Sequence, residues 1–265
     1  MKNEFPLVSV IMNCHNGENY LKKSVGSIIN QTYKNWELIF WDNKSTDNSK
    51  KIIQKFRDKR IRYYHSKKFN TLYKSRNLAI KETKGKYLCF LDVDDLWKKN
   101  RLKIQVDDLE KTQTNLNYSN FEIKDKINNR VNLRKKGTLP NGSITQLLLN
   151  DYFIGIMAVT INKKIFKDFK YNEKYNVIGD FDLFLRLSIR YKFKGINKAL
   201  STYNIHGKNF SDKNLSMYIY EMKHWLNKNE KLFLKNYNLK KLKIFLIKLQ
   251  IKNFFKNLKL IFSGV

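Results

Sequence analysis

Four short strand-like runs alternate with segments of helical periodicity in the first part of the chain. The runs are Leu7–Met12, Trp36–Trp41, Ile61–His65 and Tyr87–Leu91. Each run is short, rich in β-branched or aromatic residues and bounded by polar loops, which is typical of a buried strand. Since strands and helices alternate and crossovers are right-handed, the pattern predicts an α/β fold, with a Rossmann-like, mostly parallel central sheet flanked by helices.

The last of these strands ends in an acidic cluster of Asp92, Asp94 and Asp95. Ligands of open α/β sheets bind at the carboxyl ends of the strands. Three carboxylates this close repel one another unless a cation lies among them, and a divalent metal ion is the usual one. The alternative is that Asp94 or Asp95 only caps the helix expected over Leu96–Lys111, for which one Asp is sufficient.

Polar residues also follow the first two strands, namely Asn13–Asn16 and Asp42-Asn43. We expect them at the same sheet edge as the acidic cluster. The first strand is followed neither by Gly-x-Gly-x-x-Gly nor by a Gly-Lys-Ser/Thr phosphate loop, which argues against a dinucleotide cradle and against a nucleotidyltransferase. Carboxylates and amides at this edge suit a nucleotide that is bridged by a metal ion.

The later part of the chain predicts further elements with less regular spacing. Asn117–Phe121 and Ile156–Ile161 are typical of strands, and the basic segment Asn128–Lys136 is typical of an exposed loop or hairpin. Asp180 stands at the start of an amphipathic helix, where an acid is favourable. Leu200–His206 is a late strand that ends in a histidine.

The formal charge is +30, from 53 Lys and Arg against 23 Asp and Glu. Such an excess indicates an anionic partner, such as nucleic acid, lipid headgroups or a phosphorylated substrate, unless it only reflects a Lys-rich composition. In the predicted helices Tyr218–Leu234 and Leu239–Phe262, Lys is interleaved with Leu, Ile and Phe. These helices either pack on the domain or bind anionic lipid, and we favour the lipid surface for the last one.

The expected location is the cytoplasm, with peripheral contact on the inner face of the cell membrane. Cys14 and Cys89 form neither a disulfide framework nor a metal-ligand spacing, which favours a reducing compartment. The segment Met1–Pro6 lacks the apolar stretch of a signal peptide. No run of about 18 apolar residues predicts a membrane-spanning helix.

Several blocks together resemble the family 2 glycosyltransferases, which are inverting enzymes of the GT-A fold. The blocks are Val8–Gly17 with Ser27–Tyr33, Trp41–Ser49, Ser75–Ile80, Gly85–Asp95, and Gly179–Leu187 with Tyr203–His206. An Asp-x-Asp alone is common, but these blocks occur in the family's order over roughly Val8 to Ser211. The resemblance implies transfer of a sugar from a nucleotide-sugar donor, with a UDP-sugar favoured. The acceptor would be a glycan or a lipid-linked molecule in cell-surface polysaccharide synthesis.

The resemblance also implies roles for particular residues on the donor side. Asn13, His15, Asp42 and Asn43 would border the base and ribose, and Arg76 would lie near the nucleotide. Two departures from the family pattern concern this region. Asp42-Asn43-Lys44 replaces a frequent Asp-Asp-Gly, and His15 replaces a frequent Tyr.

Asp92 and Asp94 match the family's Asp-x-Asp motif, which holds Mn²⁺ or Mg²⁺. Asp94 would bind the metal, and Asp92 would contact both ribose and metal. His206 would approach the metal or the diphosphate, or else act as a structural hydrogen-bonding residue. Asp180 would be the general base, with Asp182 as the second choice, because Gly179 occupies the place of the family's first acid.

We expect three regions along the chain. Residues 1–112 would bind the nucleotide-sugar, residues 113–212 would bind the acceptor as part of the same GT-A domain, and residues 213–265 would form a basic helical C-terminal extension. The alternative from another class is a non-catalytic nucleic-acid-binding protein, which requires basic residues and exposed aromatics on one face. Because Lys is spread along the chain and the acidic strand ends repel phosphate, we predict no nucleic-acid partner.

Overall fold

The computed structural model describes residues 5–207 and 209–262, without the side chains of 211, 212 and 257–262. The beginning of the N-terminal segment and the last side chains of the predicted basic extension therefore lie outside the described residues. The strands are β1 Val8–Cys14, β2 Trp36–Asp42, β3 Ile61–His65, β4 Tyr87–Phe90, β5 Leu96–Trp97, β6 Leu116–Asp125, β7 Arg130–Leu133, β8 Val159–Asn162 and β9 Lys194–Ile205. The helices are α1 Glu18–Ile29, α2 Ser49–Lys55, α3 Leu72–Lys81, α4 Arg101–Thr112, α5 Thr145–Asn150, α6 Gly179–Arg190, α7 Phe210–Lys213, α8 Leu215–Leu234 and α9 Lys240–Phe262.

The first four strands form a parallel sheet in the order β3-β2-β1-β4, which confirms the predicted alternation. The register places Val8 beside both Trp36 and Tyr87. Because the strands start level, their carboxyl ends meet at one edge. Asn13, Asp42 and Asp92 therefore arrive at that edge together.

Beyond β4 the sheet continues through β8, β6, β9 and β5. Here β8 is antiparallel to β4 and β6, whereas the long β6 and β9 run parallel. The segment Asn128–Lys136 contains β7, which pairs with β6 as a hairpin. The predicted strand over Ile156–Ile161 is wrong in its first half, because Ile156–Ala158 forms a short 3-10 helix before β8.

The predicted helix over Leu96–Lys111 begins too early. Leu96 and Trp97 form β5 and pair with Thr202 and Ser201, and the helix begins only at Arg101. The indole of Trp97 is buried and donates to the Met157 carbonyl at 2.9 Å. This long-range pairing outweighs the local helical preference of Leu96 and Trp97. Since the helix begins only at Arg101, Asp94 and Asp95 lie too far before it to cap it.

Apolar residues cover the sheet on both faces. Along β1 the side chains alternate, with Val10 and Met12 in one buried cluster and Ile11 in the other. The C-terminal helices join the second cluster through residues such as Trp225 of α8 and Leu246 of α9. Packing on the domain is therefore observed for one side of these helices. Over residues 5–207 and 209–262, no helix has the length and apolar character needed to cross a membrane.

Candidate active site

Asn13 lies at the carboxyl end of β1 with its side chain buried. Neither its amide oxygen nor its amide nitrogen has a hydrogen-bond partner among the described residues. Buried amides are normally hydrogen-bonded, and an exception calls for an explanation. The unpaired amide provides hydrogen-bonding capacity for a ligand at this sheet edge.

Asp42 and Asn43 hold the loops that surround this edge. The Asp42 carboxylate accepts from the Ser45 amide at 2.7 Å and from the Tyr63 hydroxyl at 2.7 Å. The Asn43 side chain donates to the Asn70 carbonyl at 2.8 Å and accepts from the Asn70 amide at 3.0 Å. Both residues lie at the predicted place and bind protein groups there.

His15 and Phe69 present aromatic rings at the same edge. The exposed His15 ring contacts the Asn43 carbonyl through Nδ1 at 3.1 Å. The Phe69 ring meets it edge-on, with ring centroids 4.6 Å apart, and is 62% exposed. Sequence reasoning missed Phe69, for which the only signal is a single large apolar residue in a polar loop.

Arg76 of α3 joins two carboxylates that are distant in the sequence. Its guanidinium donates from Nη2 to Asp92 Oδ1 at 2.7 Å and from Nη1 to Asp180 Oδ1 at 2.6 Å. Its side chain is only 1% exposed. Burial alone would lower the pKa of Arg76, but the two carboxylates outweigh it and raise that pKa. The bridge places the predicted base beside the strand-end acid.

Asp180 stands in the first turn of α6 and keeps 20% of its side chain exposed. Burial raises the pKa of its carboxyl, the Arg76 guanidinium opposes that rise, and the charge of Asp92 adds to it. The preceding Gly179 lies against the Tyr73 ring, where an added Cβ would come within 2.4 Å of a ring carbon. The glycine thus allows α6 to approach α3 closely enough for the bridge to form.

Asp94, His206 and Tyr20 form a second group at this edge. His206 Nε2 lies 3.0 Å from Asp94 Oδ2, and Tyr20 Oη lies 3.2 Å from His206 Nδ1. The Tyr20 and His206 rings stack with centroids 4.7 Å apart. Burial raises the pKa of the Asp94 carboxyl, the charge of Asp92 adds to the rise, and the hydrogen bond with His206 opposes it. Sequence reasoning missed Tyr20, which lies 186 positions before His206 in the chain.

The third acid of the cluster, Asp95, is fully buried and does not cap a helix. Its carboxylate accepts from the Asn204 amide at 3.0 Å. Burial raises its pKa well above the ordinary value, and the charges of Asp94 and Asp92 add to the rise. Asp95 therefore anchors β9 beneath the site, and the alternative that it caps the following helix is wrong.

The donor atoms at this edge fit a divalent cation by their chemistry. Asp92 and Asp94 offer carboxylate oxygens, which are the ligands that Mg²⁺ and Mn²⁺ prefer. The imidazole of His206 lies beside them, in contact with Asp94. Within the described ranges, no three acidic, His or Cys side chains form a ready-made metal cage. Mg²⁺ is usually held by one or two carboxylates together with substrate phosphates, so two neighbouring carboxylates are a suitable donor set.

Asp182, the second candidate for the general base, makes its side-chain contacts within α6 and with α8. Its carboxylate accepts from Arg186 Nη2 at 2.7 Å and from the Trp225 indole at 3.1 Å. Its side chain is buried. These contacts attach α6 to α8.

Glu221 of α8 supports the turn that leads to Asp180. Its carboxylate accepts from the backbone amides of Asn176, Val177 and Ile178 at 2.7, 2.9 and 3.1 Å. These three amides belong to the turn that leads into α6, which begins at Gly179 without a side-chain cap. The C-terminal helices therefore help to position the candidate base.

We expect Glu221→Ala to lower the free energy of unfolding by about 2–3 kcal/mol, because it removes a buried charged acceptor from three amides. Urea unfolding followed by circular dichroism measures this change. The control is Glu230→Ala on the same helix, whose partly exposed carboxylate pairs with Lys243 and which should change stability by less than about 1 kcal/mol. Equal effects of the two substitutions would show that Glu221 does not support the turn.

Comparisons with known proteins show the family and the fold of this chain. The family model described as glycosyl transferase family 2 matches residues 9–193. Two relatives are from Escherichia coli, and both are named UDP-Glc:alpha-D-GlcNAc-diphosphoundecaprenol beta-1,3-glucosyltransferase. WfgD is 33% identical over 165 residues, which is 62% of this chain and 64% of WfgD. WfaP is 37% identical over 117 residues, which is 44% of this chain and 47% of WfaP.

The crystal structure of S. aureus TarS 1–349 in complex with UDP superposes with a TM-score of 0.64 at 20% identity. It covers 81% of this chain and 65% of TarS 1–349, and it shows that the two share the GT-A-like fold. The chain thus spans less than two thirds of each of these three proteins. The family model nevertheless covers well over half of the chain. The chain therefore belongs to the family 2 glycosyltransferases.

Proposed function

We propose that this chain transfers a sugar, with inversion, from a nucleotide-sugar to a hydroxyl of a glycan or lipid-linked acceptor. The observation that carries the proposal is the buried Arg76, which joins Asp180 to the strand-end Asp92. A UDP-sugar is the proposed donor, since WfgD and WfaP are named for UDP-Glc and TarS was solved with UDP. The named acceptor of WfgD is a diphosphoundecaprenol, which supports a lipid-linked acceptor in cell-surface polysaccharide synthesis.

On the donor side, we assign the base and ribose to the edge formed by β1 and β2. The unpaired amide of Asn13 and the exposed rings of His15 and Phe69 offer hydrogen bonds and a stacking surface. Asp42 and Asn43 keep the loops in place around that surface. For Arg76 we propose a positioning role beneath the site, because its guanidinium is buried and both of its terminal nitrogens donate to carboxylates.

On the acceptor side, Asp180 is the proposed general base. A general base must be ionised and must reach the proton that it removes. Arg76 favours the ionised carboxylate, and the exposed part of Asp180 leaves room for a hydroxyl group. One carboxylate is sufficient for inverting transfer. We assign Asp182 to structure, since Arg186 and Trp225 occupy its oxygens.

Asp92 and Asp94, with His206 beside them, would hold Mn²⁺ or Mg²⁺. A bound cation would offset the negative charge of the diphosphate leaving group. Tyr20 stacks on His206 and orients its ring toward Asp94. Tyr20, His206 and Asp94 thus hold one side of the site in a fixed arrangement for the diphosphate.

We propose the same three regions for the whole chain: residues 1–112 for the donor, 113–212 for the acceptor and 213–265 as the basic extension. The first region supplies Asn13, Asp92 and Asp94, and the second supplies Asp180 and His206. The proposed location is the cytoplasm, with the extension on the inner face of the membrane. A nucleic-acid partner is not proposed, because the acidic edge repels a phosphate backbone.

Substitutions of residues that only support the metal ligands typically cost about 10- to 100-fold in metal affinity or activity. Asp94→Ala removes a proposed ligand itself, so it should weaken donor binding in the presence of Mn²⁺ by more than that. Isothermal titration with the nucleotide-sugar measures this effect. Asp107→Ala is the control, since its half-exposed side chain pairs with Lys103 on α4, and this change should leave binding unaltered. Unchanged turnover in excess EDTA would contradict the metal assignment.

The raised pKa of Asp180 predicts the acidic limb of the pH profile. The base works only when ionised, so kcat/KM should fall as the pH decreases through that pKa. Because burial raises it, the midpoint should lie above the value of about 3.9 for an ordinary aspartate. Arg76→Gln should move the limb to higher pH, because the guanidinium that opposes the rise is removed. A profile that stays flat down to about pH 4 would be inconsistent with Asp180 as the base.

A further inference from the structure

Helix α9 carries apolar residues on two opposite sides. Leu242 and Leu246 are buried and pack on the domain. On the other side, a second set of apolar residues recurs at the spacing of one helical face. This outer stripe comprises Ile244, Ile247, Ile251, Phe254 and Phe255, which are 42% to 60% exposed. The described part of the chain leaves this stripe uncovered.

The charges of α9 have one sign. The helix contains seven Lys and no acidic residue. Lys248 and Lys252 are exposed and lie beside the outer stripe by their helical positions. An apolar stripe beside lysines matches a surface that is apolar inside and negatively charged at its rim.

We propose that the outer stripe binds α9 to an anionic lipid surface. Ile247, Ile251 and Phe254 would enter the boundary of the acyl chains, and Lys248 and Lys252 would contact the headgroups. This interaction extends beyond sugar transfer and does not depend on it. A membrane that contains phosphatidylglycerol or a similar anionic lipid is a partner with this chemistry.

A second copy of the chain is a poorer occupant of the stripe. Helices that pair through an apolar seam are supported by opposite charges along its edges. Two copies of α9 would instead bring lysines against lysines, with no acid on either helix. Charge complementarity therefore favours lipid over self-association.

The outer stripe is connected to the candidate active site through α8. Helix α9 contacts α8 through Tyr218 and Phe245, whose rings meet edge-on, and through Ser216 and Asn253. Helix α8 in turn holds the turn before Asp180 through Glu221. If the proposed function holds, lipid binding at α9 keeps the base close to the membrane that carries a lipid-linked acceptor.

Co-sedimentation of the full chain with vesicles tests the proposal without measuring sugar transfer. We expect binding to phosphatidylglycerol–phosphatidylcholine vesicles that weakens with salt, and little binding to pure phosphatidylcholine. The triple variant Ile247→Ser, Ile251→Ser, Phe254→Ser should lose at least about tenfold in vesicle affinity, because three exposed apolar side chains leave the lipid boundary. The variant Lys248→Gln, Lys252→Gln should lose about fivefold for each lysine.

The matched control is Val131→Ser, Leu133→Ser on β7, whose side chains are 59% and 51% exposed. This variant should bind vesicles like the unaltered chain, and thermal unfolding checks that every variant folds. The proposal is overturned if neither α9 variant changes vesicle binding, or if the control changes it equally. It is also overturned if analytical ultracentrifugation shows a dimer that the triple variant dissociates while vesicles bind neither protein.

Discussion

Asp180→Asn should lower kcat by about 10²- to 10⁴-fold, the usual contribution of a positioned general base. The amide keeps the shape of the side chain and can still accept from Arg76, but it cannot take a proton from the acceptor. Donor affinity should therefore remain within a few-fold of the unaltered value. Transfer kinetics combined with isothermal titration of the nucleotide-sugar separate the two quantities.

Asp182→Asn is the matched control for this substitution, because it lies on the same helix two positions later. It should reduce stability through its contacts with Arg186 and Trp225 and leave kcat close to normal. A full transfer rate in Asp180→Asn would place the base elsewhere. Loss of transfer in Asp182→Asn alone, in a folded protein, would assign the role to Asp182.

Arg76→Met should lower the free energy of unfolding by about 3–5 kcal/mol, which is typical when one partner of a buried ion pair is removed. The change leaves the carboxylates of Asp92 and Asp180 close together without their shared cation. Adding Asp180→Asn should recover part of this loss, since one of the two charges is then absent. Urea unfolding of the single and double variants measures the coupling.

The control for Arg76 is Arg134→Met, whose guanidinium pairs with the 57% exposed side chain of Asp151 and also donates to the Tyr152 carbonyl at 2.8 Å. An exposed pair of this kind contributes at most about 1 kcal/mol. If Arg76→Met were as mild as Arg134→Met, the bridge between Asp92 and Asp180 would have no structural importance. Equal losses in the single and double Arg76 variants would likewise contradict a coupled site.

The parallel half of the sheet and its polar edge could be predicted because their signals are local. Apolar runs such as Tyr87–Leu91 end abruptly in polar residues, and parallel strands bring such ends to one edge. The register confirms this arrangement for Asn13, Asp42 and Asp92. That part of the fold could be predicted without knowing any contact between residues that are distant in the sequence.

The remaining features depend on contacts between distant parts of the chain. Leu96 and Trp97 follow an acidic cluster as a helix start would, but their pairing with β9 makes them a strand. The partners of Arg76 lie 16 and 104 positions away, so its bridging position could not be derived from local spacing. The same holds for Trp225, whose indole donates a hydrogen bond to Asp182, 43 positions away in the chain.

The C-terminal extension shows the same limitation. Its sequence suggested either packing on the domain or contact with lipid as alternatives. The structure places Leu242 and Leu246 of α9 in the core and leaves Ile247 and Ile251 on the opposite side. The sequence does not reveal which apolar face packs inward, because that depends on the packing of α9 on α8. The face left exposed is the one for which lipid binding is proposed.

A thermal-shift screen of nucleotide-sugars with Mn²⁺ tests the central claim most directly. UDP-sugars should raise the Tm of the unaltered chain and of Asp180→Asn, and they should leave the Tm of Asp94→Ala unchanged. This pattern would show that the sheet edge binds the donor and that Asp180 acts after binding. If no nucleotide-sugar raised the Tm, or if Asp94→Ala responded like the unaltered chain, the proposed donor site would be contradicted.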